Sequence, residues 1–362
     1  MKEGLSTFQV AIMVFMIQTG IDQLSLPRYT AEAFGTNGWV GILIFSVLVI
    51  LNLILIALVF RFGKDKTIFE ILEDVISPIL VKPLYVFLAL LWSTTGVLVL
   101  KYYDLLLRTL YYPTMPSLLF IIFTLVITYW LVRSGIYHIG KTTVVFFGLT
   151  IWIVLLFFYL TPEFRILRFT PFIFEGEKKI IDGGFGVLDA FLGYELVILI
   201  IPFMMKKKSA FKALIFGNII TTFIFLVNCF VAYGYFSYDQ LVNDTYPFIT
   251  MIEYFQLPFF QRLDGFIVSL YFLRVLITIV VYYWSADLVL RHAVPSIKPR
   301  YTLLFLIILT FCLSFIPNLS RELDEWDIWL GLIEGVVSIA LPIFLLLLLS
   351  ISHVIKKRKG VS

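Results

Sequence analysis

The chain has 362 residues, 60% of them hydrophobic and 14% charged, with a formal net charge of +4 and a mean hydropathy of +0.98. A soluble domain is ordinarily about 45–50% apolar and about 25% charged, so this composition excludes one and points to a polytopic membrane protein. Outer-membrane barrel strands would alternate over about ten residues; the apolar segments here run on unbroken, which makes the expected fold all-α.

A helix crossing the hydrocarbon needs about 20 apolar residues. By that measure five spans are expected at about Thr7–Phe34, Trp39–Phe60, Leu84–Tyr111, Ser117–Val132 and Thr142–Thr161. Five more follow at about Gly183–Met205, Ala210–Phe236, Leu263–Leu290, Tyr301–Pro317 and Ile328–Ile355. The first is read as a retained span, because Lys2 and Glu3 precede an apolar stretch without a small-residue cleavage site. Three connections are more than turns. Thr67–Val81 alternates Ile68, Ile71, Leu72, Val75, Ile76 and Ile79 with Glu70, Glu73 and Asp74, as an amphipathic stretch along the membrane face would. Pro162–Asp182 is a polar loop, and Tyr238–Arg262 suggests a short capping helix bracketed by Pro247 and Pro258.

Basic residues concentrate on one side of these ten spans, in Lys2, Arg61, Lys64, Lys66, Lys82, the Lys206–Lys208 run with Lys212, and Lys356–Lys359. That bias places both termini in the cytoplasm. Residues 1–362 read as one integral membrane domain, with no loop of domain size and no phosphate-binding loop. The positive charge reflects the topological bias, so no nucleic-acid partner is implied. His138, His292 and His353 are too scattered for a metal site, Cys229 and Cys312 lie in apolar segments, and no cofactor is expected. Nor does any nucleophile–base constellation suggest an enzyme.

Two spans, the first and the sixth, are interrupted in their middles, by Gln18-Thr19-Gly20-Ile21-Asp22-Gln23 and by Asp189-Ala190-Phe191-Leu192-Gly193-Tyr194-Glu195. Charge within a bilayer costs at least about 2.5–3.5 kcal/mol per residue, and glycine weakens a helix by about 1 kcal/mol relative to alanine. Interruptions at corresponding positions of two halves mark a midplane small-molecule site of the transporter kind. Five spans per half is odd, so spans one and six run in opposite directions, as an inverted repeat over about 7–161 and 183–355 requires. The ligand-binding set is accordingly Gln18, Thr19, Gly20 and Asp22 from span one, Phe191, Leu192, Gly193, Tyr194 and Glu195 from span six, Ser93 and Thr94 from span three, and Tyr271 from span eight. The half-helix ends suit a substrate carboxylate, and Asp22 suits an amine, a proton or a basic partner. Arg274, deep in span eight, must find a carboxylate or carbonyls, which makes Asp22, Glu195 and Arg274 a charge-compensating or proton-responsive group. Asp189 is expected to reach outer water, Glu334 is a lone carboxylate, and Lys101, Asp104 and Arg108 share one helical face.

The chain resembles the B subunits of bacterial spore nutrient germinant receptors (spore permeases), a branch of the amino acid–polyamine–organocation permease superfamily. The likeness is carried by Ser6-Thr7-Phe8-Gln9, Leu26-Pro27, Gly38-Trp39, Leu98-Val99-Leu100-Lys101, Tyr111-Tyr112-Pro113-Thr114-Met115-Pro116, Thr170-Pro171-Phe172, Gly193-Tyr194-Glu195 and Ile201-Pro202-Phe203, in that order. It departs from the family in having Tyr194 between the span-six glycine and glutamate. The resemblance implies a ten-helix, LeuT-like five-plus-five inverted repeat with broken helices one and six, and a location in the inner spore membrane. It also implies assembly with A and C subunits and binding of an amino acid or similar nutrient. Three functions stay open: a sensing subunit, a proton-coupled amino-acid permease, and a scaffold or ion-conducting subunit.

Overall fold

Ser6 starts the first helix by accepting the Gln9 N–H at 3.2 Å while Gln9 accepts the Ser6 N–H at 2.8 Å, a reciprocal cap. The computed structural model describes residues 4–170, 180–254, 263–317 and 320–358. In it α1 (Thr7–Gln18) stops at Thr19, whose hydroxyl turns back to the Phe15 carbonyl at 2.8 Å. A single 3₁₀ turn, Ile21–Leu24, then leads into α2 (Leu26–Phe34), with Pro27 in its first turn. The expected first span therefore exists as two half-helices.

The remaining elements are α3 (Trp39–Phe62), α4 (Ile68–Glu73), α5 (Pro78–Leu110), α6 (Ser117–Ser134) and α7 (Ile136–Thr150), which continues as 3₁₀ helix over Ile151–Glu163. After them come α8 (Ile180–Asp189), α9 (Val197–Ile200), α10 (Ala210–Tyr235), α11 (Tyr238–Asn243), α12 (Pro247–Glu253), α13 (Leu263–Ala293), α14 (Pro299–Leu313) and α15 (Ser320–Arg358). Among the described residues eight helical segments are long and apolar enough to cross a membrane, and α1 and α14 are shorter apolar helices. Thr67–Val81 is not one amphipathic helix: α4 ends at Glu73, and Pro78 already opens the long third segment. Thr67 caps α4 and, through backbone and side-chain hydrogen bonds to the Glu70 carboxylate, holds that carboxyl below its ordinary range. Within Tyr238–Arg262 the expected short helix is α12, opening at Pro247, and α11 precedes it; residues 255–262, Pro258 among them, lie outside the described set, as does the 171–179 part of the polar loop.

The sixth segment mirrors the first. It consists of α8, an irregular turn through Gly193, and short helical pieces over Tyr194–Leu196, α9 and Ile201–Phe203. Three contacts fix its direction. Leu5 bridges to Met204, Gln18 reaches Phe191, and a Cβ on Gly183 would lie 2.6 Å from the Ala33 amide nitrogen. The order of these contacts shows that the two broken segments run antiparallel overall, although the short Leu5–Met204 bridge is itself parallel. They and α13 form the centre: 72% of the most apolar stretch of Gly183–Phe203 and 67% of that in α13 are buried, against 28% in α6. On α3 the exposed Leu43, Ile44, Val47, Leu48 and Leu51 face outward, as lipid-facing side chains do.

Close approach of α2 to α8 depends on Gly183, whose added Cβ would meet backbone atoms that cannot rotate away. Gly183→Ala is expected to destabilise the purified chain by about 1–3 kcal/mol, read as a lower melting temperature in detergent. Gly184→Ala, where a Cβ meets nothing within 4 Å, should not lower it. Equal melting for both variants would contradict this packing.

Candidate functional site

A helix break leaves carbonyls without partners, and in a membrane interior each one must be met. Here α13 meets them. The Tyr271 hydroxyl donates to the Gly20 carbonyl at 2.8 Å, and two turns on the Thr278 hydroxyl lies 3.2 Å from the Met16 and Ile17 carbonyls. Gln18 joins the two breaks: its Nε2 donates to the Phe191 carbonyl at 2.9 Å, and its Oε1 accepts from the Thr221 hydroxyl at 2.8 Å. At the second break Gly193 adopts φ +91°, left-handed backbone that favours glycine. Its N–H donates to the Glu195 carboxylate at 2.9 Å, so Glu195 caps the start of its own half-helix and occupies the amide that a ligand carboxylate would otherwise use.

Between the breaks lies a chamber of about 30 Å³, with Gln18, Gly20, Asp22, Thr95, Tyr282 and Glu334 in its wall. A vestibule of about 310 Å³ adjoins it, walled by Arg28, Tyr29, Glu32, Tyr246 and Asp324 among others. Asp22, Tyr102, Asp189, Asp327 and Gly331 line both spaces and so form the neck between them. One carboxylate oxygen from each of Asp22, Asp189 and Asp327 lies within 4.8 Å of the other two. Two ionised carboxylates 4 Å apart repel by about 4 kcal/mol at an effective dielectric near 20. Arg28 is the basic residue lining these spaces, and it is engaged with Glu32 at 2.8 Å. Glu334 is 1% exposed; its Oε2 accepts from Thr95 at 3.1 Å, and its carboxyl also meets the Tyr282 hydroxyl. Glu195 interacts with Glu334 from behind the chamber wall. The lining is acidic and suits a positively charged group.

Of the residues expected from sequence, Gln18, Gly20, Asp22 and Leu192 line the chamber. Thr19 and Tyr271 shape the break instead, through the Phe15, Thr19 and Gly20 carbonyls. Phe191 contributes its carbonyl to Gln18 and its ring to Phe225 at 5.1 Å. Tyr194 points away, its hydroxyl held by Asn52 at 2.7 Å and Ser338 at 3.0 Å. Ser93 turns back to the Leu90 carbonyl, and neither it nor Thr94 lines the chamber; their neighbour Thr95 does. Arg274 pairs with neither Asp22 nor Glu195. Its guanidinium donates to the Thr150 hydroxyl at 3.0 Å, the Thr150 carbonyl at 2.9 Å and Gln23 Oε1 at 3.4 Å, and lies over the Phe15 and Tyr271 rings. The two carboxylates are placed elsewhere: Asp22 lines the chamber with Asp189 and Asp327, and Glu195 accepts from the Gly193 N–H.

Sequence reading missed Tyr102, Tyr282 and Asp327, weighed the hydroxyls of Ser93–Thr95 but kept Thr95 out of the site set, and left Asp189 and Glu334 outside it. Helical spacing held a signal for most of them. Tyr271, Arg274, Thr278 and Tyr282 fall on one stripe of α13, and Asp327, Gly331, Glu334 and Ser338 on one stripe of α15. Asp327 was hidden because it precedes the expected start of the tenth span and stands among Glu322, Asp324 and Glu325, which read as a solvated loop; α15 in fact begins at Ser320.

A family profile described as spore germination protein matches residues 4–323. The chain is 26% identical over 351 residues to spore germination protein GerQB of Bacillus cereus, covering 95% of each chain. It is 22% identical over 350 residues to spore germination protein YndE of Bacillus subtilis, covering 95% of this chain and 96% of the relative. Among solved structures it is similar to Mhp1, a nucleobase-cation-symport-1 family transporter in a closed conformation with bromovinylhydantoin bound, at TM-score 0.66 and 13% identity over 91% of this chain and 75% of that one. A Na⁺-coupled sialic acid symporter in a substrate-bound outward-open state gives TM-score 0.65 and 15% identity over 92% and 76%. The likeness shows that this chain shares the LeuT fold of these transporters, and neither relatives nor neighbours are enzymes.

Proposed function

This chain belongs to the spore germination protein family, and we propose that it serves there as the B subunit of a nutrient receptor. A small nutrient bearing an amine, an amino acid above all, binds where the two helix breaks meet. The observation that carries this reading is the convergence of the Gly20 and Gly193 breaks on one acidic chamber that opens through Asp22, Asp189 and Asp327 to a vestibule. The vestibule volume falls in the usual range for small-molecule sites, about 300–1,000 Å³, while the chamber holds only about a water's worth of space. Binding in the chamber therefore requires the half-helices to part, and that motion is what a receptor passes to its neighbours. The family resemblance supports the A and C subunits as those neighbours and the inner spore membrane as the location. The basic bias of Lys2, Lys206–Lys208 and Lys356–Lys359 supports cytoplasmic termini.

Gly331 offers a test. It lines the neck, and a Cβ there would lie 2.7 Å from Asp189 Oδ1, a side chain free to move. Gly331→Val should narrow the neck without unfolding the chain. Calorimetric titration of the purified receptor with a panel of amino acids should show affinity for the responsive one falling at least about tenfold, with the melting temperature retained. Unchanged affinity would refute the site. The second reading, a proton-coupled permease, draws on the transporter fold and on the interior Glu195–Glu334 pair. It predicts pH-gradient-driven uptake into proteoliposomes, whereas the receptor reading predicts binding without uptake.

A further inference from the structure

We propose that the slot between α3 and α10, at the basic end of the bundle, holds one anionic phospholipid, with an acyl chain in the slot and the phosphate among Arg61, Lys207 and Lys208. The inference is independent of the nutrient site. Midway along the two helices the Ser46 and Thr222 hydroxyls meet at 2.6 Å, and Ser46 also accepts from Asn218 at 3.1 Å. Beyond these clasps, toward the basic end, a cavity of about 440 Å³ lies between the helices. Ile54, Ala57 and Leu58 line it from α3, Phe211 and Leu214 from α10, and Ile201 from the end of the broken sixth segment. Phe211 is itself exposed, as are Phe62 on α3 and Phe216 on α10, so the slot opens on the lipid-facing side of the bundle.

The mouth of the slot is cationic. At 24 residues α3 makes a full crossing, which puts Arg61, in its last turn, at interface depth. Lys207 and Lys208 stand across from it, in the 3₁₀ turn that precedes α10. Asp65 lines the slot as well, one carboxylate against three cations. Its backbone carbonyl accepts from Lys207 Nζ at 3.2 Å. Among the described residues none of the three cations has a carboxylate within ion-pair distance. Glu70, which interacts with Lys207 from farther away, has its carboxylate held by Thr67. No side chain caps α10, so the positive end of its dipole adds to the same field.

One occupant must answer both chemistries. A soluble anion would meet the three cations and leave the apolar slot unfilled. A zwitterionic lipid would fill the slot but bring a headgroup cation against Arg61, Lys207 and Lys208. An anionic phospholipid satisfies both, because its phosphate lies at the interface while its chains run along the hydrocarbon, and basic pockets between membrane helices bind such headgroups. Long basic side chains suit this place, with apolar stems along the slot and charged ends at the phosphate level. Since Ile201 is part of the wall, the bound chain packs against the inner end of the sixth segment.

The test is titration of the delipidated full chain in dodecyl maltoside with dioleoylphosphatidylglycerol, dioleoylphosphatidylcholine or glycerol 1-phosphate. Native mass spectrometry counts what binds, and the melting temperature reports its effect. Phosphatidylglycerol should bind saturably, one per chain, and raise the melting temperature; the other two should bind at least about tenfold more weakly. Arg61→Gln/Lys207→Gln/Lys208→Gln should weaken that binding roughly fivefold for each charge removed. Arg133→Gln/Lys141→Gln/Lys298→Gln removes as much charge from the same side of the spans and should leave it unchanged. Ala57→Trp should block the slot with every charge in place. Equal binding of the two lipids, or equal loss in the two triple variants, overturns the proposal in favour of general surface attraction. Glycerol 1-phosphate binding as tightly as the lipid, or lipid binding untouched by Ala57→Trp, overturns the placement of a chain in the slot.

Discussion

Gly193→Ala is expected to abolish nutrient binding and to lower the stability of the purified chain by about 2–5 kcal/mol. Two costs add. A φ of +91° charges an L-residue about 1–2 kcal/mol. The new methyl group would also sit 2.2 Å from Ile17 Cγ2, and overpacking of a tight core costs about 1–3 kcal/mol. Ile17 cannot easily yield, because it is β-branched, 2% exposed and fixed at the end of α1. The clash therefore pushes apart the two breaks that Gln18 ties together. Ile17→Ala removes the opposing methyl but not the dihedral strain, so the double variant should recover part of the stability and melt above the sum of the single losses. Chemical denaturation in mixed micelles measures all three. A Gly193→Ala chain that melts and binds like the wild type would show that the second break does not pack as described.

Much of this arrangement was legible in the residues. Glycine beside carboxylate in an otherwise apolar run has few explanations in a bilayer, so both breaks could be located from Gly20-Ile21-Asp22 and Gly193-Tyr194-Glu195 alone. The antiparallel pairing of the two segments followed from the odd number of spans in each half. What was not legible is which side chain on each element turns inward. Each step along a helix rotates the side chain by about 100°, so a one-residue error exchanges Thr94 for Thr95 and moves a hydroxyl from the chamber wall to a helix interface. Tyr194 and Glu195 show the same limit in an irregular turn, where no period applies. The Tyr194 hydroxyl leaves the site for Asn52 and Ser338, and Glu195 serves its own backbone. Asp327 was lost for a different reason, since a charged loop and the charged first turns of a long helix have the same composition.

Arg274 carries the other large expected effect, and it separates two accounts of the charge inside the bundle. Arginine keeps its charge when buried, and here it is 2% exposed. Its cost is offset by the Thr150 carbonyl and hydroxyl, by Gln23, and by the Phe15 and Tyr271 rings at 5.3 and 5.4 Å. Arg274→Ala takes a donor from the Thr150 carbonyl and hydroxyl, leaves Gln23 Oε1 with the Tyr271 hydroxyl alone, and opens a void, so a loss of about 3–5 kcal/mol is expected. Arg274→Lys should recover only part of it, because one ammonium cannot reach two groups of Thr150 and Gln23 in the fixed fork of a guanidinium. The deciding measurement is a double-mutant cycle. If Arg274 neutralised Asp22 or Glu195, Arg274→Met with Asp22→Asn or Glu195→Gln would restore stability relative to the single variants. The geometry instead predicts additivity within about 0.5 kcal/mol for both pairs, and strong coupling of Arg274→Met with Thr150→Val. Additive carboxylate cycles would place the guanidinium outside the charge balance of the acidic neck.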